Sequence, residues 1–256
     1  MPESVVITRP LAQAEELAQR LRAVGRQVVV FPLLEIHALP DPAPLRAVLA
    51  RLDEFALVAF VSPNAIDATF SFIQSWPDNV PLAVMGEGSR RALARHGVTA
   101  GRYQITSPID RQRTDSQTLL EALDLTLLRE RRVLILRGET GRELLADAMR
   151  TAGIVVEQVA AYRRVAPVMT ELRAQQLATL LQMHNHWIIT SSEALHILMK
   201  AVEQIDPQMG VAKMLQQKIF VPHYRIAETA KRLGLEQIFL TPAGDDGLLT
   251  ALQSLR

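Results

Sequence analysis

The sequence predicts an α/β protein of two similar lobes, each a parallel sheet of about five strands flanked by helices. Three observations carry that class: short apolar runs alternate with amphipathic stretches, glycines stop the amphipathic stretches, and an ordered set of modules occurs twice. In order, the run at 5–8 (VVIT) reads as a buried strand, followed by the helical pattern LAQAEELAQRLRA, a stop at Gly25 and a second strand at 27–31. Residues 57–61 and 82–85 are strands ending in FVSPNA and AVMGEGS, each opening a helix, and a weaker strand lies at 103–106. The rhythm then restarts. Strand 133–137, the helix RELLADAMRTA, a stop at Gly153 and strand 155–159 repeat the first module, with Arg137 to Gly153 spaced as Arg9 to Gly25. Strands at 187–190 and 219–221 match those at 57–61 and 82–85, and 237–240 closes the second set. A helical crossover must pack on a sheet face, so this βαβ order implies parallel sheets covered by helices.

Where the lobes divide is left open by pattern. A plain duplication puts the boundary near residue 128. However, QVVVFPLLEIH runs on past Pro32 and VVEQVAAYRRVAP past Tyr162. Two over-long strands fit a two-stranded connector, with residues 39–161 inserted into the other lobe.

Composition narrows the function. The chain has 256 residues, 48% of them hydrophobic, enough for a sizeable core. A net charge of +1 argues against a broad nucleic-acid footprint. With no cysteine there is no disulfide, thiolate nucleophile or thiolate metal site. No apolar run approaches the ~20 residues of a membrane span, and MPESVVITRP passes into a strand pattern without a signal-peptide profile, so a cytoplasmic protein off the membrane is expected. A monomer is expected too, since no strongly apolar exposed face is evident.

Ligands of open α/β sheets gather beyond the carboxyl ends of the strands, where helix N-termini present unpaired N–H groups. The turns there hold Arg9, then Ser62, Pro63 and Asn64, then Gly86 and Ser89, then Arg137, Gly138 and Arg142, then Thr190, Ser191 and Ser192, and finally His223, Tyr224 and Arg225. Small, hydroxylated and basic residues of this kind suit an anion held by amides, dipole ends and guanidinium groups. Each also has a purely structural reading: Ser62 and Ser192 as N-caps, Gly138 and Gly141 as tight-turn residues. The Gly138 turn lacks Walker spacing, and RGETGRE lacks the dinucleotide glycine triplet, which disfavours a nucleotide. His184 and His186 form an H-x-H pair in a polar loop before a strand, without nearby carboxylates, a poor metal site. No serine has an assignable base. Tyr162 stands just beyond an apolar strand, where a phenol can pack or can give a proton to a departing oxygen; Tyr103 and Tyr224 compete for that role.

Taken together, VVITRP, FPLLEI, FVSPNA, AVMGEGSRRAL, LILRGETGRELLADAMRTAG leading to VAAYRRV, IITSSEAL and TPAGDDGLLTAL resemble the uroporphyrinogen-III synthases, bacterial members most closely, over nearly the whole chain. The resemblance implies a discontinuous pair of domains, 1–37 with 166–256 and 38–165, so it favours the inserted arrangement. It implies a cyclising lyase of haem biosynthesis that takes the linear tetrapyrrole hydroxymethylbilane to uroporphyrinogen III, losing water and inverting the last ring, with no cofactor and no metal. By the same match, Tyr162 corresponds to the tyrosine thought to assist departure of the hydroxyl. Arg9, Ser62, Arg137, Gly138, Arg142, Thr190 and Ser191 fall in turns matching the family's cleft, and the substrate's eight carboxylates give the 137–142 turn something to hold. Handover of the unstable bilane from hydroxymethylbilane synthase is a further implied partnership. One turn departs: many relatives read Gly-x-Thr-Thr-Ala where this chain has 223–227, His-Tyr-Arg-Ile-Ala, and Ile226 offers no hydroxyl. The rival readings are a non-catalytic two-lobed binder of a polycarboxylate or sugar phosphate, and a nucleotide-dependent transferase.

Overall fold

A computed structural model describes residues 3–108 and 116–254. In chain order the elements are β1 (Val5–Ile7), α1 (Leu11–Ala23), β2 (Val28–Val30), β3 (Glu35–His37), α2 (Ala43–Leu49), β4 (Leu57–Phe60), α3 (Pro63–Phe70), β5 (Leu82–Val84), α4 (Glu87–Arg95), β6 (Ile105–Thr106) and α5 (Ser116–Ala122). They continue with β7 (Arg132–Gly138), α6 (Leu144–Thr151), β8 (Val155–Val165), α7 (Glu171–Leu181), β9 (His186–Ile188), α8 (Ser192–Ile205), α9 (Gly210–Leu215), β10 (Lys218–Val221), α10 (Tyr224–Arg232), β11 (Ile238–Leu240) and α11 (Gly244–Gln253). The chain divides into two units, Met1–Glu35 with Val165–Arg256, and Ile36–Arg164.

The first unit holds a five-stranded sheet in the order β11-β10-β9-β1-β2, with every neighbouring pair parallel. The second holds β3-β8-β7-β4-β5-β6. Aligned by the repeat, β6-β5-β4-β7-β8 reproduces β11-β10-β9-β1-β2 strand for strand, and β3 is an addition at the edge. Two similar parallel α/β lobes are therefore what the sequence folds into.

Alternation explains why the strands read as unbroken apolar runs. In β4, Leu57 and Ala59 enter one core cluster while Val58 and Phe60 enter another; in β1, Val5 and Ile7 face one way and Val6 the other. Both faces of each sheet are covered, the usual state of parallel sheets. Helices α1, α4, α6 and α10 are followed by Gly25, Gly97, Gly153 and Gly234, all with φ between 76° and 84°, the left-handed conformation that lets a chain leave a helix.

Two sequence expectations change. QVVVFPLLEIH is not one strand: β2 stops at Val30 and the chain resumes as β3 at Glu35, in the other sheet. Pro32 lies in the break, without an N–H to extend the ladder. Its counterpart β8 does run on, for eleven residues, and β3 pairs beside it. Second, α6 starts at Leu144 rather than at the Arg-Glu pair before it, because Glu143 is drawn into the contacts described below.

Candidate functional site

The second unit builds a corner around Tyr162. Strand β4 ends just before Ser62, whose extended backbone (φ −162°, ψ 155°) makes it the N-cap of α3; its Oγ accepts the Ala65 N–H at 3.1 Å, and Pro63 fills the first helical position. Along β7 and β8 the register slips. Arg137 lies opposite Ala160 but Gly138 lies opposite Tyr162, leaving Ala161 as the extra residue of a bulge. Ala161 and Tyr162, which regular alternation would send to opposite faces, both enter the same core and are each 3% exposed. The Glu139 N–H closes the bulge on the Tyr162 carbonyl at 2.8 Å.

Gly138 is fixed by this packing. A Cβ there would lie 3.1 Å from Tyr162 Cζ and 3.2 Å from its hydroxyl. The phenol reaches Ser62, whose Oγ donates to it at 3.1 Å. With the serine as donor in this bond, the tyrosine's own proton is left to be given elsewhere. Tyr162 borders a cavity of about 300 Å³ that Asn64 also lines, formed wholly by residues of this unit.

The 137–142 turn closes around its own arginine. Arg137 is 8% exposed, and its Nη1 donates at 2.5 Å to Glu143 Oε1 and at 2.5 Å to Gln158 Oε1, while Gln158 Nε2 donates to the second Glu143 oxygen. A Cβ on Gly141 would stand 2.6 Å from Arg137 Nη2, so any larger residue there would have to push the guanidinium aside. Hydrogen bonds from Gln158 first and Arg137 second hold the Glu143 carboxyl below its ordinary range. Arg142 is exposed. Beyond β5, Gly86 caps α4, accepting from the Ser89 and Arg90 N–H groups, and Ser89 is buried on the inner face of that helix.

The first unit repeats the scaffold at its own strand ends. Thr8 Oγ1 donates to the Ile188 carbonyl at 2.8 Å, and Arg9 Nη1 pairs with Asp245 at 2.5 Å, both groups largely buried. The N-cap of α8 is Ser191, not Ser192: Ser191 has the extended backbone, and its Oγ accepts the Ala194 N–H at 3.0 Å. Ser192 instead shares a 3.0 Å hydrogen bond with Thr229, and Thr190 is half-buried ahead of the cap. His223 caps α10 through Nδ1, the Tyr224 ring leans against it at a tilt of 31° with 54% exposure, and Ile226 packs into the core. The departure at Ile226 is thus a packing residue.

His186 opens β9 rather than lying in the loop before it; it is fully buried, with Nε2 2.9 Å from Glu3. Burial pushes its pKa down, opposed by the Glu3 carboxylate. Among the described residues no three His, Asp or Glu side chains are placed to hold a metal ion, and no helix is long and apolar enough to cross a membrane.

Sequence reading missed Gln158, Glu143 and Asp245 as the partners of the two matched arginines. Asp245 had a signal, the acidic pair opening the GDDGLL helix; Gln158 had none, because its role depends on strand register.

A duplicated parallel α/β scaffold, with capped helix starts at the strand ends and one buried phenol beside a cavity, belongs to the class of α/β proteins in which turns beyond the strand ends form the site. The profile of uroporphyrinogen-III synthase HemD matches residues 15–253, and the chain belongs to that family of lyases. It is 31% identical to the uroporphyrinogen-III synthase of Salmonella typhimurium over 98% of this chain and 100% of the relative, and 30% identical to that of Escherichia coli with the same coverage. In fold it is similar to the Helicobacter pylori enzyme (TM-score 0.64, 15% identity, all of both chains) and to a mutant of the Thermus thermophilus enzyme (TM-score 0.58, 15% identity, 98% of both).

Proposed function

We infer that this chain cyclises hydroxymethylbilane to uroporphyrinogen III with loss of water and inversion of the last pyrrole ring, and that Tyr162 is its acid. End-to-end membership of the family carries the reaction. The Tyr162 corner supports the role of the phenol. Its proton passes to the hydroxymethyl oxygen, the C–O bond breaks and water leaves, giving an electrophilic methylene-pyrrole. The substituted carbon of the far ring attacks that methylene to form a spiro centre. Cleavage of the ring's original link and reclosure at its other side invert it, and the proton lost on rearomatisation returns to the phenolate. Ser62, donating to the phenol oxygen, supports the charge that grows there.

Arg9, Asn64, Pro63, Gly86, Ser89, Arg142, Thr190, Ser191, Ser192 and Tyr224 stay in this proposal as residues of substrate-holding turns, backbone amides included. Arg137 and Gly138 shape the corner as well. Because the free bilane closes unaided to the wrong isomer, direct transfer from hydroxymethylbilane synthase, in the cytoplasm and to a monomer, belongs to the same reading. The test is to supply fresh hydroxymethylbilane and identify the isomer after oxidation: type III is expected, and type I alone at the uncatalysed rate would overturn the assignment.

A further inference from the structure

The cavity at Tyr162 has a lining that the strand-end turns do not explain. Much of its wall is apolar, with Ile36, Leu39, Ala68 and Phe72, and two fully charged side chains border it, Arg46 and Asp67. Asp67 is already neutralised, with Oδ2 3.0 Å from Arg95 Nη2 and Oδ1 2.9 Å from His96 Nε2. Arg46 has its guanidinium carbon 5.2 Å from the centre of the Phe72 ring, and among the described residues no carboxylate pairs with it. A guanidinium steadied on an aromatic face keeps its N–H edge for a planar anion. At about 300 Å³ the space lies at the small end for organic ligands, right for one ring with its arms and too small for a chain of four.

We propose that this cavity seats the terminal pyrrole ring that bears the hydroxymethyl group, with a carboxylate arm of that ring on Arg46 and its apolar body against Phe72 and Leu39. This rests on the reaction assigned above and adds a subsite to it. The seat explains how the departing hydroxyl would meet the Tyr162 proton: the ring is anchored at its far edge by charge, leaving the reacting edge toward the phenol. Arg46 is then a binding residue, acting on capture rather than on the chemical step.

The experiment measures KM and kcat for uroporphyrinogen III formation by the wild type, Arg46→Ala and Arg46→Lys, each also with a bilane whose terminal-ring arms are methyl groups. Arg46 is exposed on α2, so both variants should keep the wild-type melting curve. Expected are a KM about tenfold higher in Arg46→Ala with kcat within about twofold, an intermediate value for Arg46→Lys, and equal KM values for wild type and Arg46→Ala with the methyl analogue. An unchanged KM in Arg46→Ala, or a penalty of the same size with the analogue, overturns the subsite. Absence of type III product from the wild type would instead sink the reaction, and the subsite with it.

Discussion

The two units carry the same strand order, matched arginines and matched serine caps, yet only the second surrounds a phenol. Counting from Gly25 and Gly153, the partner of Tyr162 in the first unit is Leu34, a buried apolar residue. The cause lies in the strands. Where the first unit breaks at Pro32, the second continues through β8 and gains a bulge that turns Tyr162 into the core beside Ser62. The arginines diverge similarly: Arg9 takes Asp245 from the distant α11, while Arg137 takes Glu143 from its own turn and Gln158 from the next strand. Duplication therefore supplies a general way to end strands and start helices, and local departures from it supply the chemistry.

The contrast can be broken most directly at the phenol. Tyr162→Phe should lower turnover by about 10²-fold or more, at a cost of about 1 kcal/mol in stability; unchanged turnover would leave the corner as packing only. Gly138→Ala should lower turnover about tenfold by displacing the ring, and should cost about 1–3 kcal/mol, since its Cβ falls 3.1 Å from Tyr162 Cζ. Steady-state rates and chemical denaturation measure both.

A finer contrast sets the capping serines against each other. Ser62→Ala and Ser191→Ala should each cost about 1 kcal/mol in stability, but only the first should also slow the chemical step, by several-fold. Equal kinetic effects would erase the distinction between the units. Arg137→Ala should likewise cost about 1 kcal/mol through the hydrogen bonds of its buried guanidinium to Glu143 and Gln158, and a melt unchanged from wild type would return that turn to ligand binding alone.

The smallest effect is one of pH. Glu143 has a folded pKa below its unfolded value, so its contribution is present above the ordinary carboxylate range and lost as pH falls through the folded value. Glu143→Gln should therefore flatten the acid limb of the melting-temperature profile relative to wild type. An unaltered limb would mean that the Arg137–Gln158 cluster adds nothing to acid stability.

Much of the fold was legible because parallel strands buried on both faces leave unbroken apolar runs, and because glycines mark the helix ends. Tyr162 was legible as a candidate from its position past an apolar strand. Its geometry was not, since a bulge is a one-residue mismatch between two paired strands and leaves no local trace in AAYRRV. The two glycines of RGETGRE were visible, but their reason was not. Neither has a positive φ; each clears a path for a side chain, the Tyr162 ring or the Arg137 guanidinium. Ser192 was mistaken for a cap because adjacent serines differ only in backbone angle, and the Arg46 seat was invisible because it joins α2 to the end of α3.

The surplus residue at Ala161 acts as a phase shift. If β8 kept all its residues but lost the bulge, strict two-residue alternation would send Tyr162 to the face opposite Ala161, and the phenol would lose its serine without any change to the residues that touch it. The register of this strand is consequently as much a determinant of activity as its lettering.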